Sequence, residues 1–206
     1  MYNDYNFHSE SSSHTQNYLS PVVEKLLQTL QSKTILDVGC GNGALAASLM
    51  QKGYNVYGID ASETGIAIAK KNYGKDCFFV QNVESETITQ ALQNIPFDTI
   101  ISTEVVEHLY SPKQYMQFCH NILAPSGGHI IISTPYHGYL KNVALAFSGK
   151  LDNHFTVLWE GGHIKFFSKK TLSTLMEQSG FEVVGFYGAG RLPYLWKSMI
   201  LVGKAR

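Results

Sequence analysis

Residues 34–44 read Thr-Ile-Leu-Asp-Val-Gly-Cys-Gly-Asn-Gly-Ala. Thr34 to Val38 is short, apolar and β-branched, which predicts a strand. Glycines at 39, 41 and 43 interrupt it, and residues 44–51 are good helix formers. A strand that ends in spaced glycines and opens a helix marks the carboxyl edge of an open α/β sheet, where such sheets bind ligands. Glycine allows the left-handed backbone of a tight turn and lets a ligand approach the main chain.

The same rhythm continues on either side. Ahead of the strand, Tyr18, Val22, Leu26 and Leu30 recur at helical spacing, with Pro21 near the start. Further strands are predicted at 55–59, 77–80, 97–102 and 129–133, and helices at 63–72, 86–93 and 113–123. Strands alternating with helices give a mostly parallel sheet covered on both faces, and the near-continuous apolar strands agree with that burial. The segment 135–162 is long, aromatic and irregular, so it reads as a lid or binding insert. A helix at 169–179 and strands at 181–187 and 196–202 complete the pattern.

Composition narrows the partners. A chain of 206 residues is about one domain, here 15–206 behind a polar, mobile segment at 1–14. Lys+Arg and Asp+Glu balance at 16 each, which leaves no cationic surplus for a nucleic-acid partner. Cys40, Cys77 and Cys119 show no paired spacing, so reduced thiols in a cytoplasmic protein are expected. No apolar run is long enough for stable membrane insertion. With 12% aromatic residues, a small or apolar ligand is the expected partner.

Two cofactor classes fit the glycine loop. Gly39, Gly41 and Ala44 satisfy the dinucleotide fingerprint, with Asp60 at the end of the second strand to take ribose hydroxyls. Asp37 weighs against that reading, because a carboxylate would face a pyrophosphate of like charge. S-adenosylmethionine carries an ammonium and a sulfonium instead, and a carboxylate suits both.

The stretches 36–43, 58–62 (Gly-Ile-Asp-Ala-Ser), 97–101, 104–109 (Glu-Val-Val-Glu-His-Leu), 123–128 and 133–135 occur in the order of one known family. Over roughly 33–186 the chain resembles the class I S-adenosylmethionine-dependent methyltransferases. The Glu-Val-Val-Glu-His stretch is most similar to the ubiquinone-biosynthesis O-methyltransferases. The resemblance implies a Rossmann-like, doubly wound α/β sheet of seven strands, mostly parallel with the last antiparallel, and a lid insert at 136–165 after strand five. It implies that Asp37, Gly39, Cys40 and Gly41 hold the methionine end of the cofactor. Asp60 and Ala61 would meet the ribose, Asn82 and Val83 the adenine, and Thr103 would line the same pocket. Asn82 stands where the family often has an acid; its amide oxygen can still accept the adenine amino group.

On the acceptor side, His108 could act as general base with Glu107, and His163 is a second candidate. If a helical turn begins at Glu104, it shares one face with Glu107 and His108. Those three could then hold a divalent metal such as Mg²⁺, as the resemblance implies for this motif. A helix cap that touches only protein is the plain alternative. Tyr18, Tyr136, His137 and Trp159 could receive a planar, aromatic or lipid-like small-molecule acceptor, or pack as core under a long loop. The expected reaction is methyl transfer to a hydroxyl oxygen. Nitrogen and carbon acceptors, an NAD-binding oxidoreductase and a catalytically silent cofactor-binding subunit are the alternatives.

Overall fold

The computed structural model describes residues 15–83, 85, 87–155, 158 and 161–206. The segment 1–14 expected to be mobile lies outside them. In chain order the elements are α1 (Gln16–Leu30), β1 (Thr34–Val38), α2 (Ala44–Gln51), β2 (Asn55–Asp60), α3 (Glu63–Tyr73), β3 (Phe78–Val80), β4 (Thr99–Thr103), α4 (Pro112–Leu123) and β5 (His129–Pro135). They are followed by α5 (Tyr139–Phe147), α6 (Leu151–Phe155), α7 (Lys169–Gln178), β6 (Phe181–Ala189) and β7 (Ser198–Ala205). The seven strands form one sheet in the order β3-β2-β1-β4-β5-β7-β6. β7 runs antiparallel to both its neighbours, and the other pairings are parallel. The doubly wound sheet with its last strand antiparallel is the expected one.

Strand side chains alternate between two cores. Leu36, Val38, Ile100, Ile130 and Ile132 face one side, where α4 brings Met116, Cys119 and Leu123 and α7 brings Leu172 and Met176. Ile35, Ile101 and Ile131 face the other, under Leu19, Val23 and Leu27 of α1 and Leu45 and Leu49 of α2. Both faces being covered explains why the strands are apolar throughout rather than at every second residue. Helix starts are set locally. Ser62 Oγ accepts from the Gly65 N–H at 3.0 Å to start α3. Ser168 and Thr171 form a reciprocal capping box at α7.

Two expectations change. The helix expected over 86–93 is, among the described residues, only a 3-10 turn at Gln90–Leu92. The Gln81 amide takes over the backbone there, donating to the Thr87 carbonyl at 2.7 Å and accepting from the Thr89 N–H at 2.7 Å. The segment 135–162 is not irregular: it contains α5 and α6.

Candidate active site

The glycine loop, Asp60, the end of β4 and the start of β7 meet at one edge of the sheet, where the parallel strands end. Gly39, Gly41 and Gly43 hold φ of 80°, 54° and 78°. At Gly39 a Cβ would also run into the Val105 side chain, so glycine is required twice over. The Gly39 and Cys40 N–H groups donate to the Ile59 carbonyl at 2.8 and 3.0 Å. Asp60 bridges the first two loops, accepting from the Gly41 N–H at 2.8 Å and the Ser62 N–H at 2.7 Å.

Asp37, at the carboxyl half of β1, is 1% exposed, and its Oδ1 has no hydrogen-bond partner. Burial raises its pKa to about 8, and the nearby Asp60 charge adds to the rise. The Cys40 thiol is buried and its pKa also raised, chiefly by desolvation, so the residue serves the loop through its main chain. Ala61 and Thr103 are half-buried at the same edge, and Asn82 is exposed beside the buried Val83.

The helical turn begins after Glu104 rather than at it. Glu104 has φ 56°, which reverses the hand of the chain ahead of the 3-10 turn Val106–His108. Its carboxylate turns to β5 and β7, accepting from Ser133 Oγ at 2.8 Å and Ser198 Oγ at 3.2 Å. Burial raises its pKa to about 7, opposed by these hydroxyls and by the Lys141 charge.

His163 joins Glu107 and His108. One ligand atom each from Glu107, His108 and His163 lies within 4.8 Å of the others. The Glu107 carbonyl accepts from the Ile164 and Lys165 N–H groups at 2.9 and 3.0 Å, which ties the 161–165 strand of chain to the turn. His108 Nδ1–H donates to the Gly161 carbonyl at 2.9 Å, leaving Nε2 as the basic nitrogen. The two imidazole rings stand edge to face with centroids 4.9 Å apart. Glu107 is fully buried, and neither carboxylate oxygen has a hydrogen-bond partner. Its pKa is raised first by desolvation and then by the Glu104 charge. Desolvation and the neighbouring histidines His108 and His154 lower His163 to about 4, so it is neutral at physiological pH. Neutral imidazoles beside a buried carboxylate are suited to hold a divalent cation.

Of the expected acceptor residues, Tyr18 meets this edge through its hydroxyl, 3.2 Å from Ser198 Oγ. Tyr136 is 9% exposed and packs edge to face on Trp196, as core. His137 belongs to a ring cluster with His154, Phe155 and Phe166. Trp159 lies outside the described residues. The sequence reasoning missed Ser133 and Ser198, which hold Glu104, and it missed Lys141. Ser133 had a signal, as it sits in the Ser-Thr-Pro stretch at 133–135. Lys141 had none, being a lone cation in an apolar helix.

A family model described as a methyltransferase domain matches residues 12–185. The ubiquinone biosynthesis O-methyltransferase of Dinoroseobacter shibae is 31% identical over 156 residues, 73% of this chain and 60% of that protein. The mitochondrial ubiquinone biosynthesis O-methyltransferase of Rattus norvegicus is 31% identical over 163 residues, 75% of this chain and 46% of that protein. The chain thus spans about half to two thirds of these relatives' length. Among solved structures, the methyltransferase domain of a bacterial Hen1 has a TM-score of 0.68 at 21% identity, covering 92% of this chain and 98% of that one. Magnesium protoporphyrin IX methyltransferase from Synechocystis, with bound SAH, has a TM-score of 0.66 at 18% identity, covering 97% and 90%. At these identities the structural likeness shows the shared fold.

Proposed function

The chain belongs to the methyltransferase-domain family, and from that premise we propose that it moves a methyl group from S-adenosylmethionine to a hydroxyl oxygen of a small molecule. The observation that carries this reading is the meeting of two groups at one sheet edge. One is the glycine loop with its buried, unpartnered Asp37 oxygen; the other is the Glu107, His108 and His163 cluster. The curated relatives, O-methyltransferases by name, support oxygen as the acceptor atom.

The residues fit the cofactor. Asp37 offers a desolvated carboxylate to a cation, and Asp60 has its carboxylate set against the Gly41 and Ser62 N–H groups. Lone pairs of Asp60 outside those two hydrogen bonds can accept from ribose hydroxyls. When bound, S-adenosylmethionine supplies an electrophilic methyl group on a sulfonium. The acceptor hydroxyl must lose its proton as it takes that methyl; without a metal His108 Nε2 would receive it, whereas with a cation bound that nitrogen would be a ligand and the cation would ease the proton's loss.

The donor set of buried Glu107 with half-buried His108 and His163 also fits a divalent cation, which would lower the pKa of the acceptor hydroxyl. Two imidazoles and one carboxylate suit Mn²⁺ or Co²⁺ better than the oxygen-seeking Mg²⁺. Tyr18, His137 and Trp159, with the insert at 136–165, would line the acceptor space as a lid.

The test incubates the protein with S-adenosylmethionine and a panel of phenols, catechols, alcohols and amines, and follows both S-adenosylhomocysteine and the methylated product. O-methylated product, lost in EDTA and restored by Mn²⁺, is the expected result. Methylation confined to nitrogen or carbon would overturn the acceptor atom. Full activity in EDTA would overturn the metal, and cofactor binding without any turnover would favour a silent subunit.

A further inference from the structure

A cavity of about 680 Å³ opens between α5 and the turn that joins β6 to β7. Lys141, Lys150 and Arg191 contribute three cations, and Leu145, Leu192 and Leu195 line it with apolar surface. No carboxylate lies within ion-pair distance of any of the three among the described residues. Lys141 is the decisive one. It is 8% exposed, yet its ammonium makes one hydrogen bond among the described residues, 3.3 Å to the Lys197 carbonyl. An ammonium has three donors, and burying one with a single carbonyl leaves a large desolvation cost uncompensated. Arg191 and Lys150 are exposed at the rim, so a ligand can reach the buried cation between them.

The cavity also borders the active site. The Lys197 carbonyl that accepts from Lys141 precedes Ser198, whose hydroxyl donates to Glu104 and lies 3.2 Å from the Tyr18 hydroxyl. The Lys141 charge also acts on Glu104 from beyond ion-pair distance. An apolar cavity whose one buried polar lining group is a cation with no carboxylate in contact among the described residues selects an anion attached to an apolar chain.

We propose that this cavity is the acceptor's anchoring site, and that it binds a carboxylate or phosphate carried on an apolar chain, remote from the hydroxyl that is methylated. The assignment rests on the methyltransferase reading, and it commits to a soluble acceptor rather than to a lipid bilayer.

The test uses the full chain with S-adenosylhomocysteine present, and titrates decanoate, decyl phosphate, decanol and decyltrimethylammonium below their micelle concentrations by calorimetry. The two anions should bind, with decanol roughly tenfold weaker or worse and the ammonium not at all. Arg191→Gln, at an exposed position, should weaken decanoate about tenfold and leave S-adenosylhomocysteine affinity unchanged. Lys141→Met should remove the preference for decanoate over decanol, with an unchanged circular dichroism spectrum to show that it folds. Equal affinity for decanoate and decanol would overturn the proposal. So would binding to anionic phospholipid vesicles with no binding of either soluble anion. In both cases, intact S-adenosylhomocysteine binding would leave the methyltransferase reading standing.

Discussion

Asp37 has an oxygen that meets no donor, in a side chain almost wholly removed from water. Its pKa is raised to about 8 because burial penalises the charged form and the nearby Asp60 adds like charge. A cationic ligand must find it ionised, so ligand binding draws a proton off at neutral pH. S-adenosylmethionine affinity should therefore rise between pH 6 and 8.5. Calorimetry at pH 7 in buffers of differing ionisation enthalpy should register release of approaching one proton. Asp37→Asn should bind weakly and show neither effect; a wild-type affinity independent of pH would remove the carboxylate from the cofactor's reach. Asp37 and Asp60 were legible because a motif marks their places at two strand ends. The helical turn expected from Glu104 was not legible because residue spacing says nothing of backbone hand: at φ 56° Glu104 stands ahead of the turn, not in it.

The 3-10 turn at Val106–His108 and the chain at 161–165 act as one element, held by the Glu107 carbonyl and by His108 Nδ1. Gly161 is where that element can be perturbed without a clash. Its φ is 81°, and an added Cβ would meet nothing within 4 Å. Gly161→Ala should cost only about 1–2 kcal/mol of stability, from the left-handed backbone alone. It should reduce methyl transfer more than that loss implies, because the carbonyl that orients His108 shifts. Activity and denaturant midpoint measured together check this; a proportional fall in both would make the contact merely structural. His163 was legible as a histidine between glycines and aromatics, whereas its pairing with Glu107 depends on a contact across more than fifty residues. The helix α5 was not legible. Gly138 offers no side-chain cap, and Tyr139, Leu140 and Phe147 are apolar yet exposed while Lys141 is buried, so polarity does not mark the helix's buried face. The expected helix over 86–93 failed for the opposite reason, since a distant Gln81 amide competes for its backbone.

Across the molecule, buried ionisable groups pull stability in opposite directions with pH. Asp37 and Glu104 have folded pKa values of about 8 and about 7, above their unfolded values, so their contribution is present in acid and lost as pH rises through those values. His137 and His163 have folded values of about 4, so theirs is lost as pH falls from 6.5 toward 4. Between pH 4 and 6.5 the two sets oppose each other; above pH 7 the histidines no longer do, and Lys141, lowered to about 8 by burial, offsets part of the carboxylate effect only from about pH 8 upward. The Tm should fall between pH 7 and 8.5, and the double variant Asp37→Asn, Glu104→Gln should flatten that fall in a calorimetric scan. A Tm that climbs over this window would contradict the burial of both carboxylates. The alternating strand-and-helix order made the sheet readable at this scale, because each parallel crossover needs its helix. It also puts the glycine loop, Asp60 and the turn after β4 above the carboxyl ends of the parallel strands, while exposed Asn94 sits at the far edge, in the turn leading into β4. A surface linker attached through Asn94→Cys would thus hold every molecule with its reactive side toward the liquid, which suits the chain to oriented immobilisation on a sensor or a flow support.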